Sequence, residues 1–126
     1  MRRQGQAQAS GSNRDQLALA EELEELARQL ERLSRKQPNP QLQQSAEQMR
    51  NAAEAMRRAA SSATAGGSGG GGVAEARQAT RDIREARRLL DQGRVRQFSE
   101  EVERSLRRAE LAERQQKRIK RDLAEL

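Results

Sequence analysis

Hydrophobic residues recur along this chain at alternating steps of three and four positions, which is the spacing of an amphipathic helix. The first stripe consists only of leucine, at Leu19, Leu23, Leu26, Leu30 and Leu33. The second stripe uses smaller or more flexible side chains, at Leu42, Ala46, Met49, Ala53, Met56 and Ala60. The spacing therefore predicts two helices, one with a leucine side and one with an alanine and methionine side.

Two further stripes follow in the second half of the chain. The shorter one comprises Ala76, Ala79, Ile83, Ala86 and Leu90. The longer one keeps the same spacing at Val95, Phe98, Val102, Ser105, Ala109, Ala112, Gln116, Ile119, Leu123 and Leu126. No segment alternates with a period of two, so no strand is predicted. We expect an all-α, coiled-coil-like protein whose helix-packing interface includes Leu19, Leu23, Leu26, Leu30, Leu33, Leu42, Met49, Met56, Ile83, Leu90, Phe98, Val102, Ile119 and Leu123.

The residues between the stripes predict where helices end. Pro38 disfavours helix at the residue before it, Asn39 is a good N-cap, and Pro40 suits the first helical position. A connection this short predicts an antiparallel hairpin of the first two helices. Gly93 is expected to cap the C-terminus of the third helix.

The glycine-rich segment at residues 61–72 has the composition of a flexible linker. It lacks the preceding strand and the Gly-Lys-Ser/Thr ending of a phosphate-binding loop. The first residues are rich in Gln, Gly, Ser and Ala, after which Ser12 or Asn13 is placed to cap the first helix. The predicted organisation begins with a disordered lead-in over residues 1–12. A first helical hairpin over residues 13–60 is joined by the linker over residues 61–72 to a second helical hairpin over residues 73–126. The hairpins either pack into one four-helix bundle or pair between chains.

The composition leaves two readings open, which the periodicity separates. Leu, Ile, Val and Phe together number only 19 of 126 residues. This fraction of the chain is below the ~20% level at which a disordered chain becomes a serious alternative. Ala, Glu, Lys, Leu and Arg number 73, which is typical of long helices when the sequence is periodic. The stripes favour helices, while a chain that stays disordered until it meets a partner is the other reading.

The chain contains neither His nor Cys. Soft or imidazole metal ligands and Cys–His or Ser–His nucleophile pairs are therefore absent. No Glu lies on a stripe, so the carboxylate metal sites of helical bundles are not predicted either. The carboxylates lie beside arginines on the polar sides, where catalytic acids are not expected. We predict no catalytic, cofactor or metal site and no small-molecule partner, and hence a protein that is not an enzyme.

The charges predict pairs along the helix surfaces. There are 25 basic and 19 acidic residues, for a net charge of +6. Many acids precede a base by four positions, the favourable order within a helix, as in Glu24–Arg28, Glu31–Arg35, Glu100–Arg104, Glu103–Arg107, Glu110–Arg114 and Glu113–Lys117.

Cations concentrate in the last helix, at Arg114, Lys117, Arg118, Lys120 and Arg121. These residues could contact the phosphates of a nucleic acid or of an anionic lipid. The alternatives are that they are solvated, or that they pair with the acids of residues 21–25 in the first helix.

Two polar residues, Ser105 and Gln116, occupy positions of the last stripe that are otherwise apolar. A polar residue at such a position can fix the register or the oligomeric state of helices. The other reading is a gap in the stripe that is open to water.

The segments Leu23-Glu24-Glu25-Leu26-Ala27-Arg28-Gln29-Leu30 and Arg84-Glu85-Ala86-Arg87-Arg88-Leu89-Leu90 are similar to helical regions of large, envelope-anchored bacterial proteins of unknown function. This resemblance implies a scaffold or assembly role and no catalytic residues. Those proteins carry membrane segments, whereas no stretch here approaches the ~20 apolar residues of a spanning helix. The basic start also lacks the apolar segment of a signal peptide, so the chain as given is expected to be cytoplasmic unless it is a fragment of such an envelope protein.

These observations together predict a non-catalytic helical scaffold or oligomerisation module. Its partner would be a second copy of the chain or another helical protein, held through the leucine and alanine stripes. The alternative function is a basic helix that binds a nucleic acid or an anionic membrane surface.

Overall fold

The protein is all-α, as the stripes predict. The computed structural model describes the backbone of residues 2–64 and 71–125, and the side chains of residues 13–62, 72–122, 124 and 125. This part of the chain forms helices α1 (Arg2–Lys36), α2 (Pro40–Thr64), α3 (Gly71–Gln92) and α4 (Ser99–Ala124), with no strand.

The helices pack as a four-helix bundle in which α1 contacts α2, α2 contacts α3, α3 contacts α4, and α4 returns to α1. Ion pairs between neighbouring helices show the relative directions of those helices. Glu24 and Glu31 of α1 pair with Arg57 and Arg50 of α2, so the residue numbers run in opposite senses along the two helices. The same reversal relates α3 to α4, where Arg77 pairs with Glu113 and Arg87 with Glu103. Successive helices are therefore antiparallel, in an up-down-up-down arrangement.

The four stripes meet in one core. Ten of the residues predicted to pack have buried side chains, namely Leu19, Leu23, Leu26, Leu30, Leu42, Met49, Met56, Ile83, Leu90 and Val102. Leu33 and Phe98 are partly buried against this core, and Ile119 is half-buried. The side chain of Leu123 lies outside the described residues. Fully burying a leucine, isoleucine or methionine side chain contributes about 1.5–3 kcal/mol, so the core depends on these few large residues.

Alanines bring α2 and α3 close together. Ala52, Ala55 and Ala59 of α2 and Ala76 and Ala79 of α3 are fully buried. A methyl side chain leaves little between two helix backbones, and alanine also has the highest helix propensity. These alanines therefore allow α2 and α3 to pack closely against each other.

The turn between α1 and α2 confirms the predicted cap. The Asn39 Oδ1 accepts a hydrogen bond from the Gln41 backbone N–H at 3.1 Å, and α2 begins at Pro40. The Asn39 Nδ2 also donates to the Gly93 carbonyl at 3.2 Å. One side chain therefore caps α2 and ties the α1–α2 turn to the α3–α4 turn.

The end of α3 departs from the prediction by one residue. Arg94, not Gly93, has the left-handed conformation, with φ of 58°. The Val95 N–H bonds to the Leu90 carbonyl at 2.8 Å and the Arg94 N–H to the Asp91 carbonyl at 3.1 Å, which is a Schellman motif. Glycine at position 93 has another role, since an added Cβ there would make a tight contact of 3.0 Å with the Cβ of Gln41.

Two helix starts differ from the predicted ones. α4 begins at Ser99 rather than near Val95, because the Schellman turn and the positive φ of Phe98, 67°, interrupt the helix. α1 begins at Arg2, where a disordered lead-in over residues 1–12 is predicted. Asn13 therefore lies inside α1 and does not cap it. Ala, Gln and Arg, which are frequent in this segment, are good helix formers and outweigh its glycines.

The ends facing the glycine-rich segment are also shifted. α2 continues to Thr64, beyond the predicted end at residue 60, and α3 begins at Gly71. Residues 65–70, the middle of the predicted linker, lie outside the described residues.

Candidate anion-binding surface

The outer side of α4 carries a row of cations, which we call the basic face: Arg104, Arg107, Arg114, Lys117, Arg118 and Arg121. All six are exposed. At 3.6 residues per turn they occupy an arc of about 140° around the helix. The buried residues of the same helix, including Val102, Ala109 and Ala112, lie on the opposite side. Lys120, also predicted as a contact, is exposed but lies off this arc, on the side of the helix that carries Val102.

Three of the six acids of α4 are drawn away from this face, because they pair across to α3. Glu103 lies 2.9 Å from Arg87, and Glu110 lies 4.0 Å from Arg84. The predicted pairs of Glu103 and Glu110 within α4 are therefore wrong. The residues left behind, Arg107 and Arg114, have no ion pair within the described part of the chain.

One predicted pair within α4 is present. Lys117 lies 3.4 Å from Glu113, which also lies 3.8 Å from Arg77 of α3. Glu113 is thus shared between two cations, and Lys117 is only partly compensated. Over the described side chains, the cations of the basic face without an ion pair are Arg104, Arg107, Arg114, Arg118 and Arg121.

The acids of α1 do not reach the basic face either. Within residues 21–25, Glu22 pairs with Arg108, Glu24 with Arg57 of α2, and Glu25 with Arg28 at 2.8 Å. The predicted alternative, in which this cluster neutralises residues 114–121, is therefore wrong for every side chain that the structure describes. The antiparallel register explains this, since it sets Glu22 beside Arg108, so that residues 114–121 run alongside an earlier part of α1.

Two of these carboxylates, Glu24 and Glu25, have pKa values below the ordinary value of glutamate. A hydrogen bond from Arg57 lowers the pKa of Glu24, and one from Arg28 lowers the pKa of Glu25. In the first pair the same contact raises the pKa of Arg57. Glu24 and Glu25 are thus engaged by arginines other than those of the basic face.

A second polar feature is an open groove of about 520 Å³ between α2 and α3. Arg58 extends along it and lies 3.0 Å from Glu75. The Asp82 carboxylate on its wall is 8% exposed and accepts a hydrogen bond from the Gln78 amide at 2.8 Å. Burial raises the pKa of Asp82. A raised carboxyl pKa is also found at catalytic acids, but here the groove is wide open and the neighbouring groups are arginine and amide side chains, so the arrangement has the character of a buried structural carboxylate.

The polar residues of the last stripe are buried. Ser105 is 3% and Gln116 4% exposed, so neither lies at a gap open to water. Gln16 of α1 is fully buried as well. Among the described residues, the Oε1 and Nε2 atoms of Gln16 and the Nε2 atom of Gln116 have no hydrogen-bond partner. The sequence held a signal for Gln16, which is three positions before Leu19 and extends the first stripe by one step.

Comparison with family models, with curated proteins and with solved structures finds no match to this chain. Within the part of the chain that the structure describes, no helix combines the length and apolar character needed to cross a membrane. The same residues include no cluster of three acids arranged to hold a metal ion.

Proposed function

We propose that this chain is a non-catalytic binding module whose four-helix bundle presents the basic face of α4 to a phosphate-bearing polyanion. The observation that carries the proposal is a set of five exposed arginines on one side of one helix, without an ion pair among the described residues: Arg104, Arg107, Arg114, Arg118 and Arg121. Elsewhere in the bundle, arginines are frequently matched to glutamates.

Phosphate is the anion that best suits this surface. The guanidinium group is planar, remains charged at any physiological pH, and binds phosphate oxygens through two parallel N–H donors. Arginine supplies 22 of the 25 cations of this chain. From Arg104 to Arg121 the helix rises about 25 Å, so the face suits an extended polyanion better than a single small anion.

The bundle supports this role by holding the cations in place. α4 packs on both α1 and α3, and its glutamates are drawn to the α3 side by Arg84 and Arg87. An isolated helix with the same sequence would be free to form its own glutamate–arginine pairs. The fold therefore separates the charges that the sequence places side by side.

The function predicted from the stripes, a scaffold that joins two copies of the chain, has less support than the binding of a polyanion. The large residues of the stripes, such as Leu23, Met49 and Ile83, are fully buried within one chain. A second copy held through the same residues would require the bundle to open, at the expense of these contacts. In this proposal the bundle is a scaffold for its own basic face.

Isothermal titration calorimetry with long-chain inorganic polyphosphate tests the proposal, because this probe carries phosphate without bases or lipid. The triple variant Arg114→Gln/Arg118→Gln/Arg121→Gln is expected to bind at least about tenfold more weakly than the parent at low salt. The matched control, Arg32→Gln/Arg35→Gln/Arg81→Gln, removes three exposed arginines from α1 and α3 and should retain more affinity. Equal losses in both variants would show that net charge alone governs binding, and would contradict the proposal.

A further inference from the structure

We infer that the polyanion is the sugar-phosphate backbone of a double-stranded nucleic acid, bound without recognition of its sequence. This inference rests on the proposed function and names the class of its partner.

Single strands are disfavoured by the side chains available. Proteins that hold single-stranded nucleic acids stack the exposed bases on aromatic rings while cations follow the backbone. The chain has no Trp or Tyr, and its one Phe, Phe98, is half-buried against the core in the α3–α4 turn. The basic face can therefore contact a backbone but has no platform for unpaired bases.

A membrane surface is disfavoured by the apolar residues of α4. A helix that lies in a bilayer interface buries its own apolar side among the lipids. In α4 that side faces the bundle core, with Val102, Leu106 and Ala109 buried. Leu111 is the one large hydrophobic residue of α4 that is exposed among the described side chains. Leu111 lies within the arc of the basic face, so a membrane would gain one leucine contact besides the electrostatic attraction.

A duplex suits the length and the chemistry of the face. Duplex DNA carries one phosphate charge per about 1.7 Å of its axis, so a ridge of about 25 Å lies beside some 15 phosphates. An α-helix of 10–12 Å diameter also matches the width of the major groove, about 12 Å. Cations spread over an arc of the helix can then reach phosphates on both edges of that groove. The face offers mostly guanidinium groups, which suit phosphates, so affinity without sequence preference is expected.

The number of contacts sets the expected salt dependence. With about five cations engaged, the logarithm of the affinity should fall with the logarithm of salt concentration with a slope near −4.5. Raising the salt from 50 to 200 mM would then weaken binding by about 500-fold. Removing three of the five arginines should bring the slope close to −2.

The test is fluorescence anisotropy with an end-labelled duplex of about two helical turns, in two unrelated sequences and at several salt concentrations. The inference predicts equal affinity for the two sequences, a slope near −4.5, and a slope near −2 for Arg114→Gln/Arg118→Gln/Arg121→Gln. The control variant Arg32→Gln/Arg35→Gln/Arg81→Gln should keep the parent slope. Circular dichroism establishes that both variants retain the helical fold.

Three outcomes would overturn the inference. One is a labelled single strand of the same length that binds as tightly as the duplex. Another is binding to vesicles of phosphatidylserine and phosphatidylcholine with no binding to the duplex. The third is a slope that the Arg114, Arg118 and Arg121 substitutions leave unchanged. Binding to polyphosphate would persist in the first two cases, so the proposed function would stand, whereas loss of polyphosphate binding would remove both.

Discussion

Glu22 of α1 forms an ion pair with Arg108 of α4, about two turns before Arg114, where the concentration of cations begins. This contact follows from the register of the two helices and occupies an acid that the sequence also makes available to residues 114–121. Glu24 in turn pairs with Arg57 of α2. Glu22 and Glu24 therefore contact the two neighbouring helices and not residues 114–121. The consequence is a basic face that depends on the fold as much as on the composition.

The burial of the stripes predicts the oligomeric state of the protein. Because the leucine, methionine and isoleucine side chains of the stripes are buried within one chain, we expect a monomer of 14.2 kDa. Size-exclusion chromatography with light scattering measures this directly, with refractive-index detection because Trp and Tyr are absent. A stable dimer at micromolar concentration would contradict this expectation and favour assembly through the stripes.

The substitution Arg87→Gln is expected to weaken binding to polyphosphate. It releases Glu103 from its 2.9 Å contact with α3, and the freed carboxylate can pair with Arg107 one turn further along α4. A surface ion pair is worth about 0.2–1 kcal/mol, which corresponds to a loss of up to about fivefold in affinity.

The control for this prediction is Arg88→Gln, which removes the same charge but releases Glu85, a carboxylate of α3 itself. Titration calorimetry of both variants under identical conditions compares them. If Arg88→Gln weakens binding as much as Arg87→Gln, the redistribution of glutamates between helices has no part in shaping the basic face.

The two buried glutamines predict variants more stable than the parent. Gln16→Met and Gln116→Met replace amides that lack hydrogen-bond partners among the described residues with an apolar side chain of similar shape. Leaving a buried polar group unsatisfied costs about 1–3 kcal/mol, so each variant should gain about 1 kcal/mol. Chemical unfolding followed by circular dichroism measures the change, with the exposed Gln44→Met as the control. A loss of stability in both buried variants would mean that these amides have partners.

The carboxylate of Asp82 predicts a pH-dependent stability difference. Burial raises its pKa, so the folded state holds the proton more tightly than the unfolded state does. The stability linked to this group is therefore fully present below the ordinary pKa of aspartate and is lost as the pH rises through the folded-state pKa. Asp82→Asn should be more stable than the parent at pH 7, and the difference should shrink towards pH 3.

Thermal unfolding of parent and variant at intervals between pH 3 and pH 7 measures this difference. The exposed Asp122→Asn is the matched control and should differ from the parent by less than about 0.5 kcal/mol at every pH. A constant offset between Asp82→Asn and the parent across this range would contradict the account of Asp82.

The local elements of this fold could be predicted from the sequence because they depend on neighbours along the chain. The spacing of Leu19, Leu23 and Leu30 alone assigns them to one side of a helix, and all three are buried. Asn39 and Pro40 begin α2 as their backbone preferences require. The start of α4 could not be predicted in this way, because Phe98 continues the apolar spacing while it contacts the core from a turn.

The basic face could be predicted only in part. The sequence places Arg114, Arg118 and Arg121 on one side of a helix, but it gives no information on which acids lie opposite them. A spacing of four residues predicts that Glu110 pairs with Arg114, whereas the structure gives Glu110 a competing cation, Arg84, on α3. Contacts between helices depend on their register, which the sequence of one helix does not contain.

Nuclear magnetic resonance can locate the surface of the protein that binds the polyanion. Polyphosphate is titrated into the labelled protein, and the backbone amide and arginine Nε signals are followed residue by residue. The proposed function predicts that the largest shifts follow the outer side of α4 between residues 104 and 121, with little change along α2. Shifts concentrated around Arg58 in the α2–α3 groove, or spread evenly over all exposed arginines, would contradict it.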